Sequence, residues 1–157
     1  PGLIRTEADE LTYSLHVLVR YELEKMIIEE NLDLNELPKL WSDKYEEYLG
    51  IRPENDAEGV LQDIHWAQGS FGYFPSYALG SAFGAQMLAQ MKKEMDFDRL
   101  LEEGKLDVIR EYLRKHVHRY GKMKTSLEIL KDMTGEDFDP KYYVEYLEEK
   151  YRKLYEL

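Results

Sequence analysis

Between Gly59 and Pro75 the sequence drops the helical period that it carries almost everywhere else. The stretch Gly59-Val60-Leu61-Gln62-Asp63-Ile64-His65-Trp66 runs on through Gly69-Ser70-Phe71-Gly72-Tyr73-Phe74-Pro75. It brings an amide, a carboxylate, an imidazole, an indole and a phenol into one short segment, punctuated by three glycines and a proline. Neither strand alternation nor a clean helical stripe describes it. It reads as a short helical or extended piece followed by a glycine-rich turn, and loops of this kind carry binding groups on a rigid frame.

The rest of the chain reads as helices that hold this segment. Residues 4 to about 30 read as one long helix, with Thr6 as N-cap and Asp9 at capping-box spacing. Its acids Glu7, Asp9 and Glu10 suit the positive end of the helix dipole. Apolar residues from Ala8 to Ile27 recur at helical spacing, and Val17, Val19 and Tyr21 fill the other side, which predicts burial on several faces. A second helix starts near Pro38, carries Leu40, Trp41, Tyr45, Tyr48 and Leu49, and stops at Gly50. A third covers about Pro75 to Met95, where Gly80, Ser81, Ala82, Gly84 and Ala85 predict close packing. Then come about Phe97 to Tyr120 with a break at Gly104, and Ser126 to Thr134 with the Thr125/Glu128 capping box and Gly135 as stop. A last helix follows Asp139-Pro140, with Tyr143, Tyr146, Leu147, Tyr151 and Leu154 as its inner stripe. The class is all-α, a single helical domain over residues 1–157.

At 157 residues the chain can bury a real core. It contains no cysteine, which removes thiolate metal sites and disulfides and is compatible with a cytoplasmic setting. The formal net charge of −11 argues against a nucleic-acid backbone as partner. No apolar run reaches the roughly 20 residues that span a bilayer, so no membrane partner is expected. The chain begins at Pro1 rather than Met, which reads as a piece cut from a longer protein.

Several side chains invite both a packing and a chemical role. His65 beside Trp66 fits a packed, hydrogen-bonded histidine as well as a donor to a substrate oxygen, and Asp63 is placed to orient it. Tyr73 and Tyr77 share the ambiguity in a chain with 13 tyrosines. Arg5 lies at the mouth of the first helix, where the dipole favours acids. Its planar fork suits a carboxylate, and a salt bridge to Glu7 or Asp9 is the plainer account. His16 reads as a core histidine paired to a neighbouring acid. His116 and His118, one residue apart on a helix, point in different directions and do not suit one metal. No H-E-x-x-H, phosphate loop or nucleophile elbow is present.

Two stretches carry a resemblance. Ile4-Arg5-Thr6-Glu7-Ala8-Asp9 resembles the IRxxAD motif, and Gly59-Val60-Leu61-Gln62-Asp63-Ile64-His65-Trp66 the GxxQDxHW motif, of the thermostable carboxypeptidase 1 (carboxypeptidase Taq) family of metallocarboxypeptidases. Both are complete and in order. Glu10-Leu11-Thr12-Tyr13, Phe71-Gly72-Tyr73-Phe74-Pro75 and the C-terminal helix pair through Tyr151 are similar to family sequence too, so the likeness covers essentially the whole chain.

The resemblance implies the C-terminal part of a larger, mostly helical zinc-peptidase fold that removes residues from peptide C-termini. In the family an H-E-x-x-H helix and a downstream glutamate hold a divalent metal, with zinc implied here, and the helix glutamate activates metal-bound water. Those ligands lie outside this chain, so the 157 residues alone are expected to be inactive. The chain is then the substrate-side wall of the cleft. By resemblance Arg5 binds the substrate's terminal carboxylate. His65, Tyr73 and, less directly, Tyr77 supply hydrogen bonds to the scissile carbonyl. Asp63, Gln62, Trp66 and Asp9 support them. Implied partners are a peptide with a free C-terminus, the N-terminal part of the same protein, and a second copy in a homodimer. The alternative is a non-catalytic helical peptide- or protein-binding module that has kept these motifs.

Overall fold

Asp9, rather than Thr6, starts the first long helix. In the computed structural model, which describes all 157 residues, Arg5–Glu7 is a separate 3-10 turn and Ala8 is extended. The helix α1 then runs Glu10–Glu29, so the single helix expected from residue 4 is interrupted. The Asp9 carboxylate accepts from the Thr12 backbone N–H at 3.0 Å and from the Thr12 hydroxyl at 2.8 Å. The capping pair is therefore Asp9/Thr12, one turn later than expected. In the turn before it the Arg5 backbone N–H is satisfied from outside, by Gln62 Oε1 at 2.9 Å.

Every regular element is helical, and no helix is long and apolar enough to cross a membrane. The other helices are α2 Leu37–Leu49, α3 Pro75–Glu94, α4 Phe97–Glu102, α5 Leu106–His116, α6 Ser126–Thr134 and α7 Lys141–Tyr155. The single helical domain expected over residues 1–157 is organised as two compact units, Pro1–Leu79 and Gly80–Leu157.

The first unit is built on α1 against α2. Val19, Leu23, Trp41, Tyr45 and Leu49 form its buried centre, with Leu15, Val60 and Trp66 among the residues packed on it. Trp41 stacks on Tyr45 with ring centroids 5.3 Å apart. Gly50 ends α2 at φ +68, a left-handed cap that a side chain would strain. The expectation that α1 is buried all round holds for Val17 and Val19 but not for Tyr21, which is exposed. The space on that helix goes to three polar residues instead: His16, Arg20 and Glu24 are all buried.

In the second unit Ala82, Ala85, Met91, Ile129, Leu130 and Met133 are buried. Buried Gln86 donates to the Asp137 carbonyl and accepts from the Asp139 N–H, both at 3.0 Å, which ties the start of α7 to α3. The Thr125/Glu128 capping box and the Gly135 stop of α6 stand where the sequence puts them. The chain also breaks at Gly104, with φ +69. Close packing was expected along the whole small-residue face of α3, but Gly80, Ser81 and Gly84 are exposed. The α7 stripe ends at Tyr151, since Leu154 is exposed. His116 stacks on Tyr112 at 4.3 Å, which gives it a packing role.

His16 was expected beside an acid. Its Nδ1 lies 3.1 Å from the Tyr45 hydroxyl instead, and Nε2 has no partner. Burial first, then the charges of Arg20 and Arg5, push its pKa down to about 4. The imidazole is therefore neutral in the folded state at neutral pH. Since the folded value lies below the unfolded one, stability is fully present above about pH 6.5 and is lost as the pH falls toward 4. We expect urea midpoints to report a loss on the order of 3 kcal/mol across that window, and His16→Gln to flatten the slope. An unchanged slope in the variant would assign the effect to other groups.

Candidate functional site

The glycine-flanked segment folds back onto the polar face of α1, where Gln62, Asp63 and Trp66 meet residues of that face or of the Arg5 turn. Gln62 and Asp63 come first. Asp63 accepts from Arg5 through Nε at 3.1 Å and Nη2 at 2.7 Å, and from Arg20 Nε at 2.6 Å. One carboxylate thus lies between two guanidiniums, with its side chain only 9% exposed. Burial alone would raise the Asp63 carboxyl, but its bonds to Arg5 and Arg20 and their charges outweigh that and hold it below the usual range. Gln62 completes the clamp: its Oε1 accepts from Arg20 Nη2 at 2.8 Å as well as from the Arg5 backbone. Its amide N–H groups go to the carbonyls of Leu3 and Glu58.

Arg5 is therefore not free at the helix mouth, nor is it paired with Glu7 or Asp9. Its Nη1 donates to the Tyr13 hydroxyl at 3.0 Å, and its guanidinium lies 4.9 Å from the Tyr77 ring centroid and 5.6 Å from that of Phe74. Arg20, fully buried, donates to the His16 carbonyl at 2.7 Å and the Tyr45 hydroxyl at 3.2 Å, and lies over the Trp41 ring at 4.5 Å.

His65 belongs to the same cluster, but Asp63 does not orient it by a hydrogen bond. The carboxylate stands 4.0 Å from His65 Nδ1, beyond bonding reach, because both its oxygens are turned to the guanidiniums. Tyr77 does the work: its hydroxyl lies 3.0 Å from His65 Nε2. The His65 ring also packs on Phe74 at 4.3 Å and near Tyr73 at 5.8 Å. Tyr73 meets Tyr77 edge-on at 5.3 Å and is half exposed. Trp66 donates its indole N–H to Glu24 at 2.8 Å. Asp9 does not reach this cluster and serves as the cap of α1. Arg5, Gln62, Asp63, His65, Tyr73 and Tyr77 are thus brought together within the first unit.

Arg20, Glu24, Tyr13 and Tyr45 were not singled out from the sequence as site residues. A signal for two of them exists. Arg20 stands within, and Glu24 directly after, the stretch from Leu15 to Leu23 that is expected to be buried all round, where an ionised side chain must be paired. No group of three or more His, Cys, Asp or Glu side chains is placed to hold a metal ion.

The chain is similar to known proteins over nearly its whole length. The family described as Carboxypeptidase Taq (M32) metallopeptidase matches residues 1–151. Carboxypeptidase 1 of Bacillus subtilis (strain 168) is 51% identical over 156 residues, which is 99% of this chain and 31% of the relative. Thermostable carboxypeptidase 1 of Pyrococcus furiosus is 44% identical over 152 residues, 96% of this chain and 30% of the relative. Among solved structures, the M32 carboxypeptidase from Deinococcus radiodurans R1 superposes with a TM-score of 0.95 at 35% identity, covering 99% of this chain and 32% of that one. The chain thus spans about a third of the length of the relatives it matches. On the match over residues 1–151, it belongs to the carboxypeptidase Taq (M32) metallopeptidase family.

Proposed function

We propose that these residues form the substrate-side wall of a metallocarboxypeptidase cleft, in the C-terminal part of an enzyme that hydrolyses the last peptide bond of a peptide. The observation that carries this is the charge count of the buried cluster. Two guanidiniums, Arg5 and Arg20, share one carboxylate, Asp63, so this ion-paired trio carries one surplus positive charge in a chain whose net charge is −11, while the buried Glu24 bonds Trp66 and Gly72 instead. A peptide's terminal carboxylate supplies the missing negative charge. Arg5 is the guanidinium suited to meet it. A guanidinium has five N–H bonds, and its Nε, Nη1 and Nη2 each spend one on Asp63 or Tyr13, which leaves one on each terminal nitrogen.

Tyr73 and the hydrogen-bonded pair His65–Tyr77 supply the donors for the scissile carbonyl as it gains charge. Support for this comes from proximity: Tyr77 bonds His65 and covers Arg5 with its ring, so the carboxylate reader and the candidate donors share one side chain. The family is one of metallopeptidases, and the residues present do not fit the metal. Asp63 is taken up by guanidiniums and Glu24 by Trp66 and Gly72. On this reading a divalent metal, zinc by resemblance, is held by residues outside these 157, and the chain alone is inactive. Leu61, Ile64 and Phe71 project into solvent from the site segment, as a wall normally covered by the N-terminal part of the same protein would. A homodimer and a cytoplasmic location complete the proposal.

The full-length enzyme tests it. Arg5→Ala should lower kcat/KM by roughly 100-fold or more on a peptide with a free C-terminus, since it removes a charged hydrogen-bonding partner. It should also abolish the preference for that peptide over its C-terminal amide while metal content holds. Retained preference would remove Arg5 from carboxylate binding. Asp63→Asn leaves two buried guanidiniums without a counter-charge and should cost roughly 3–5 kcal/mol of stability in denaturant titration. A cost below about 1 kcal/mol, the range of surface pairs, would mean that the cluster is not buried in the enzyme.

A further inference from the structure

Glu24 is a buried carboxylate that the proposed chemistry leaves unused. It lies one helical turn beyond Arg20 on α1 and is only 4% exposed. Its two oxygens go to two different places. Oε1 accepts from the Trp66 indole N–H at 2.8 Å, and Oε2 accepts from the Gly72 backbone N–H at 3.1 Å. Between those two points the chain makes a 3-10 turn at Trp66–Gln68 and two left-handed glycines, Gly69 at φ +73 and Gly72 at φ +78. One side chain therefore staples both ends of a surface loop.

The stapled residues are the immediate neighbours of the two proposed donors. Trp66 follows His65, and Gly72 precedes Tyr73. With both ends of the loop fixed to one carboxylate on a helix, the spacing between the His65 and Tyr73 rings, 5.8 Å between centroids, is set from α1. The Trp66 ring is further held by a stack on Phe71 and edge contacts with Trp41 and Phe74. The Gly72 N–H has no such packing support, since that residue is exposed. Tyr73 then depends on Glu24 more than His65 does.

We infer that Glu24 is a positioning residue of the peptidase reaction, fixing Tyr73 relative to His65 by bonding the chain at Trp66 and Gly72. This rests on the reading of His65 and Tyr73 as donors to the scissile carbonyl. A misplacement on the scale of an ångström costs up to two orders of magnitude in rate.

The test uses the full-length, metal-loaded enzyme. Glu24→Gln keeps the size of the side chain but gives it only one acceptor oxygen for two donors. It should lower kcat by roughly 10- to 100-fold with KM, metal content and melting temperature near wild type. Trp66→Phe removes the bond at the His65 end of the staple, leaves the one at Gly72, and should also lower kcat; it serves if the Glu24 variant does not fold. In a double-mutant cycle, Glu24→Gln with Tyr73→Phe should be no worse than the poorer single variant, because Glu24 acts through Tyr73. Multiplicative losses, or an unchanged kcat beside a lowered melting temperature, would overturn the positioning role alone. If Tyr73→Phe and His65→Ala both leave kcat unchanged, the donor reading falls and this inference falls with it.

Discussion

Asp63 stands with Arg5 on one side and Arg20 on the other, nearly out of water, and the geometry of the first unit follows from that arrangement. A carboxylate and two guanidiniums removed from solvent lose hydration worth several kcal/mol each. The loss is tolerable only if most of the remaining donors are met, and the surroundings meet all but a few, the two N–H groups left on Arg5 among them. Gln62 Oε1 takes an Arg20 N–H, the His16 carbonyl and the Tyr45 hydroxyl take two more contacts, and Tyr13 takes one from Arg5. Rings of Trp41, Phe74 and Tyr77 cover the guanidinium faces. The same positive surroundings help keep His16 neutral. Packing, hydrogen bonding and protonation on α1 are thus parts of one electrostatic problem.

That arrangement explains why the site can sit on a loop yet be well placed. The segment from Gly59 to Phe74 has no ladder and little helix of its own. Its order comes from side chains on a helix: Arg20 holds Gln62 and Asp63, and Glu24 holds Trp66 and Gly72. Rigid elements position functional groups more precisely than loops do, and here α1 lends its rigidity to the loop through charged hydrogen bonds.

What the sequence made readable was punctuation and period. The Thr125/Glu128 box, the stop at Gly135 and the cap at Gly50 involve residues within a few positions of one another, and all stand as read. Thr6 and Asp9 offer the same local capping chemistry, so the sequence alone does not separate them; the structure uses Asp9, and the turn before it is tied to Gln62, 57 positions from Arg5. The two motif stretches could be picked out, but their pairing could not. Asp63 looked poised to orient His65 because the two are neighbours in sequence, whereas its real partners are 58 and 43 residues away. Arg20 and Glu24 look like ordinary surface charges of a helix until the partner segment is in view. Only their place among buried apolar residues hints otherwise.

The link between Arg5 and Asp63 joins residues 58 positions apart, and its consequence lies in the order of assembly. Closing a chain loop of that length costs roughly 3–4 kcal/mol of entropy before any contact repays it. Neither charged group gains by leaving water alone, so the cluster cannot form piecemeal. The α1/α2 hairpin, with its nearer contacts, is free to form first. The loop then takes its shape only as its carboxylate is captured between the two guanidiniums. A chain caught before that step would hold its helices and lack the ordered cluster of Arg5, Arg20 and Asp63.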